Sequence, residues 1–167
     1  MRIDITAKQH AQFTANLEIS FGDLLTEEDR LTLARFTTGH NLWMKNSSIK
    51  KILSNRSIAE IIHELTQAPQ IRLLFDARMD KGEVDLSKFC VQGILFYILI
   101  CIETGNVTFV QKDKISAITK PTFLAIYGKA ESIYIFNERD PHTHQLKKLG
   151  YVFGDRLKST DFPFVYH

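Results

Sequence analysis

A chain of 167 residues is long enough to bury one substantial core and too short for two comfortable ones. Apolar residues make up 44% and charged residues 24%, which excludes gross disorder. A formal charge of +2, without arginines interleaved with aromatics along a strand, gives no footing for a nucleic-acid partner.

In chain order, Arg2 to Thr6 alternates apolar with polar residues, the pattern of a short half-buried strand. Lys8 to Leu17 suits a helix, and Ser20-Phe21-Gly22-Asp23 a break. Thr26 followed by Glu27, Glu28 and Asp29 is a strong helix start, because the threonine caps and the acids complement the positive end of the helix dipole. Asn41 to Ser54 is ambiguous, with helical spacing in Ile49, Ile52 and Leu53. Ser57 and Glu60 form a capping box for a further helix that Pro69 ends.

From Gln70 the period changes. Ile71 to Phe75 reads as a strand, Ala77 to Ser87 as a polar connection and Phe89 to Glu103 as one long strand. Thr104-Gly105-Asn106 turns the chain into a return strand, Val107 to Val110. After the charged stretch Gln111 to Ser116, a proline behind a threonine predicts a helix over Lys120 to Tyr127, closed by Gly128. Glu131 to Phe136 is strand, Pro141 to Leu149 helix ended by Gly150, and Phe162 to Tyr166 a last strand. The expected architecture is a mixed α/β domain over residues 1–167, helical in 1–70 and sheet with a closing helix in 71–167.

Cys90 and Cys101 share the long apolar strand, where geometry disfavours a disulfide, so free thiols are expected. The N-terminal residues show no apolar leader. The longest apolar run, Ile94 to Ile102, is about half of a membrane span, so the expectation is a soluble, cytoplasmic protein. Asp140, His142 and His144 sit close in sequence, but on a helix the histidines would face different sides, and no metal site is expected.

The closing segment, Ile133-Tyr134-Ile135-Phe136-Asn137 and then His144-Gln145-Leu146-Lys147-Lys148-Leu149-Gly150-Tyr151, resembles the end of a GNAT-type acyltransferase domain. The element order is similar too: first strand, helices, antiparallel strands, a central helix, a fifth strand and a closing helix. Within that superfamily the chain looks most like divergent members carried by bacteriophages. The resemblance implies a GNAT-like mixed sheet, mainly antiparallel, with flanking helices. It also implies transfer of an acetyl group from acetyl-CoA to a primary amine, in the cytoplasm of a bacterial host.

On that resemblance the fourth strand up to Val110 would hold the pantetheine arm. Ser116, Thr119 and Lys120 would meet the pyrophosphate, and Asn137 matches the family's asparagine. Glu103 would serve as base and Tyr134 or His144 as proton donor, with Tyr127, His142, Glu131 and Asp76 as further candidates. The phosphate loop, Gln111 to Pro121, contains no glycine, and Leu146 stands where the family's tyrosine lies. These departures imply the alternative: a catalytically silent GNAT-like phage protein that assembles with virion proteins or binds a host protein.

Overall fold

The computed structural model describes residues 4–167. The expected first strand falls partly outside them, at Arg2 and Ile3. Thr6, its last residue, instead caps α1 (Ala7–Asn16) through a reciprocal capping box with Gln9. The predicted break after α1 is a strand, β1 (Glu18–Phe21). Thr26 and Asp29 form a second capping box at α2 (Glu27–Ala34), as the acidic start suggested. The ambiguous stretch becomes a short 3-10 turn, Leu42–Met44, and α3 (Ser47–Leu53), capped by Asn46. Asn55, rather than Ser57, caps α4 (Arg56–Thr66), and Glu60 turns to Arg56.

The remaining elements are strands: β2 (Ile71–Met79), β3 (Gly82–Val84), β4 (Val91–Cys101), β5 (Val107–Gln111), β6 (Ser116–Ile118), β7 (Thr122–Tyr134) and β8 (Phe164–Tyr166). They form a six-stranded sheet in the order β1-β5-β4-β7-β2-β8 and a two-stranded sheet, β3-β6. Every pairing among the described strands is antiparallel. The Thr104–Asn106 turn and the β4–β5 hairpin stand as expected.

This arrangement corrects the expected GNAT-like α/β fold. The predicted central helix, Lys120 to Tyr127, is the first half of β7, bonded along one edge to β2 and along the other to β4. Residues 122–128 are all buried, in a segment rich in aromatic and β-branched side chains. Two-sided sheet pairing outweighs the local Thr-Lys-Pro cue for a helix. Pro121 stands just before the strand, where its missing N–H costs nothing and its carbonyl accepts from Ile102 N. The predicted closing helix is reduced to turns and a 3-10 segment, Gln145–Leu149, which Gly150 ends at φ 89°.

Side chains alternate across the six-stranded sheet, so its two faces have different duties. One face packs on the N-terminal helices, with Tyr127 of β7 donating to the Leu53 carbonyl at 2.8 Å. Asp76 of β2 accepts from Leu42 N and Trp43 N on that same side, both at 2.9 Å. The opposite face carries Phe75, Ala77, Leu124 and Ile126 toward the β3–β6 side. Tyr97 of β4 reaches across to the small sheet, where its hydroxyl donates to Lys114 O and bonds to Ser116 Oγ, each at 2.7 Å. Among the described residues no helix is long and apolar enough to cross a membrane.

Candidate functional site

Between the helix-free face and the small sheet lies a cleft of about 340 Å³. Phe75, Ala77 and Met79 of β2 and Leu124 and Ile126 of β7 make its floor. Val84, Leu86 and Phe89 make one wall, and residues 139–142 the other. The floor follows from the strand period, since every second residue of adjacent strands projects to one face. Phe75 and Phe89 meet edge to face with centroids 5.2 Å apart, which gives the cleft an aromatic end.

Asp140 builds the second wall. Its Oδ2 accepts from the buried Cys90 N at 2.7 Å and its Oδ1 from His142 N at 2.8 Å. Burial, reinforced by this carboxylate, pushes the Cys90 thiol well above its ordinary range, so it is an inert core group. Asn137 ties the two walls together by donating through Nδ2 to Ser87 O at 3.0 Å and Phe89 O at 3.4 Å. Tyr134, fully buried, donates its hydroxyl to Thr143 O.

The ring of His142 completes the cleft. It lies against His40 with centroids 4.3 Å apart and against Phe75 at 5.7 Å. The Gln145 amide joins the two imidazoles, donating through Nε2 to His40 Nε2 at 2.7 Å and to His142 Nδ1 at 2.8 Å. Its Oε1 accepts from Asn41 Nδ2 at 3.2 Å. Burial on one side, and next the neighbouring His142, hold the His40 imidazole below its ordinary pKa.

The residues singled out in the sequence fall into separate places. Glu103 and Lys120 form an exposed ion pair at 3.4 Å beside the β4–β5 turn, and Thr119 is exposed next to it. Val110 is core, and Ser116 serves Tyr97. Tyr134, Asn137 and His144 lie at the other end of β7, where His144 packs on Phe136 and Phe153 outside the cleft. The cleft itself draws on residues 75–89, read from sequence as a strand end and a polar connection. His40 carries no local signal at all, because its partner Gln145 is 105 residues away.

No protein-family model and no curated protein matches the chain. Solved structures do. SnoN, a non-heme α-ketoglutarate-dependent epimerase of nogalamycin biosynthesis, superposes with a TM-score of 0.77 at 10% identity, over 96% of this chain and 98% of SnoN. SnoK, a non-heme α-ketoglutarate-dependent carbocyclase of the same biosynthesis, gives 0.76 at 10% identity, covering 96% of each chain. CT296 from Chlamydia trachomatis gives 0.58 at 17% identity, over 78% of this chain and 99% of its own.

The fold is therefore a cupin-like jelly roll. This corrects the GNAT resemblance, and acetyl-CoA and acetyl transfer go with it. SnoN and SnoK are α-ketoglutarate-dependent enzymes rather than acyltransferases, and SnoN has been solved with Fe3+ and α-ketoglutarate rather than acetyl-CoA. The alternative of a silent GNAT-like phage scaffold falls on the same ground. The closing Leu149-Gly150-Tyr151 motif marks a helix-like turn ended by a left-handed glycine, which unrelated folds share.

The cleft does not fit the iron of SnoN. Non-heme iron of that kind takes two histidines and one carboxylate on a shared face with open positions. Here a single histidine lines the cleft, and both oxygens of Asp140 are held by backbone N–H groups. Asp85 caps Ser87 N at 3.0 Å and faces Lys88 at 3.6 Å. Among the described residues no group of three His, Cys, Asp or Glu side chains is placed to hold a metal ion.

Proposed function

We propose that the protein binds a small, largely apolar molecule in the cleft between β2, β7 and the β3–β6 side, without a metal. The observation that carries this reading is the cleft's composition. An aromatic and aliphatic floor is bordered by polar side chains such as Glu83, Lys88 and Arg139 in the walls, in a volume typical of small-ligand sites, which begin at about 300 Å³. Asp140 and Asp85 are committed to backbone N–H groups and to Lys88, and Glu83, the third carboxylate of the lining, stands beside a single histidine, which falls short of an iron site.

The test is titration with 1-anilinonaphthalene-8-sulfonate, followed by fluorescence. The wild type should enhance emission saturably, and Ala77→Phe, which fills the floor from a half-buried position, should weaken binding about tenfold or more. No enhancement with wild type would sink the reading. So would calorimetric binding of one iron(II) in the presence of α-ketoglutarate.

A further inference from the structure

We propose that His142 is the polar anchor of the cleft and that the ligand it selects is an apolar molecule bearing a carbonyl oxygen. This deepens the reading above and rests on it. A primary amide has two N–H bonds, and those of Gln145 go to two imidazole nitrogens, His40 Nε2 and His142 Nδ1. In this orientation the amide oxygen, Gln145 Oε1, accepts from Asn41 Nδ2. Because His142 Nδ1 accepts, the ring proton of its neutral form resides on Nε2.

That nitrogen has no protein partner among the described residues, and its ring forms part of the cleft wall beside Phe75. An N–H bordering an apolar cleft is a selective feature. A ligand oxygen placed there satisfies it, whereas an all-hydrocarbon ligand displaces water from it and leaves it unpaired. Tilted contacts with Phe75 and His40, together with the Gln145 bond, hold the ring, so the donor is oriented before the ligand arrives. His142 is thus the recognising group, and Gln145 a positioning residue that acts through it.

The test compares acetophenone with ethylbenzene, its near-isostere without the oxygen. Binding to the full chain is followed through the methyl resonances of Leu124 and Ile126. The wild type should prefer acetophenone roughly three- to tenfold, the worth of one neutral hydrogen bond. His142→Phe keeps an aromatic ring in the wall and should abolish the preference by strengthening ethylbenzene binding relative to acetophenone, because the N–H that a hydrocarbon leaves unpaired is gone. Gln145→Leu should reduce the preference and shift the His142 ring 15N signals away from an Nε2–H tautomer, which a merely structural role would not do. Equal binding of the two probes to wild type, or a wild-type Nδ1–H tautomer, overturns the anchor and leaves the cleft reading standing. If neither probe perturbs the floor methyls, the cleft reading falls and the anchor with it.

Discussion

The rings of His40 and His142 meet at 4.3 Å, tilted by 36°, and share one amide, Gln145, which donates to both. Each accepting nitrogen must be unprotonated for this arrangement to hold. Protonation of either ring turns an acceptor into a donor facing another donor, and a second proton would place two like charges face to face.

The first prediction concerns acid. The folded pKa of His40 lies below its unfolded value near 6.5, so the unfolded chain binds this proton more readily. Its contribution is present above that value and is lost as pH falls through it. Thermal unfolding should show a decline in stability below about pH 6.5, and the decline should lessen in His40→Phe, which keeps an aromatic ring at the contact. Because His40 is exposed on its other side, solvent screening keeps the effect small.

Asp76 predicts a slope of opposite sign. Its carboxyl is fully buried, and burial raises its pKa to about 6 against the pull of the Trp43 and Leu42 amides. The folded pKa exceeds the unfolded one, so its contribution is full below about 4 and is lost as pH rises toward 6. Denaturant unfolding of Asp76→Asn across that range should lack this component, isolating the His40 term. Asp76→Ala should cost about 1–3 kcal/mol, because Leu42 N and Trp43 N lose their acceptor.

Gly128 predicts a packing limit. A Cβ there would lie 2.5 Å from Leu74 Cδ1, 2.7 Å from Ser132 Oγ and 3.0 Å from the Gly93 carbonyl oxygen. At this point the β4–β7 register shifts, and the Leu74 and Ser132 side chains and the Gly93 carbonyl fill the space a side chain would need. Gly128→Ala should lower stability by about 1–3 kcal/mol in denaturant titration, the usual cost of overpacking.

Ser116 links the small sheet to the large one through the Tyr97 hydroxyl. Ser116→Ala leaves that hydroxyl its bond to Lys114 O, so the loss should be about 1 kcal/mol or less. Tyr97→Phe removes both links and should cost more. Unfolding midpoints of the two variants check the order.

Much of the helical half was legible in the sequence, because capping is local chemistry. Thr26 with Asp29 and its flanking acids declares α2 within one turn, and the isoleucines of α4 declare its buried stripe. The β4–β5 hairpin was legible as well, since a turn signal separates two apolar runs. The 120–127 segment was not. Its local cue, proline behind threonine, favours a helix, and only the flanking strands β2 and β4 make it the centre of a sheet.

By itself, then, the sequence determined what short-range interactions govern: the caps, the main turn, the apolar stock of the core and the free cysteines. Tertiary structure decided the rest. It made 122–134 a strand bonded on both edges, and it turned Phe75 and Ala77 to the face opposite Asp76, which gave the cleft a floor. It also brought His40 to His142 across most of the chain. The reason is physical. Helix caps are settled by neighbours within four residues, whereas sheet order, a jelly-roll cleft and a shared amide depend on which distant strands pair.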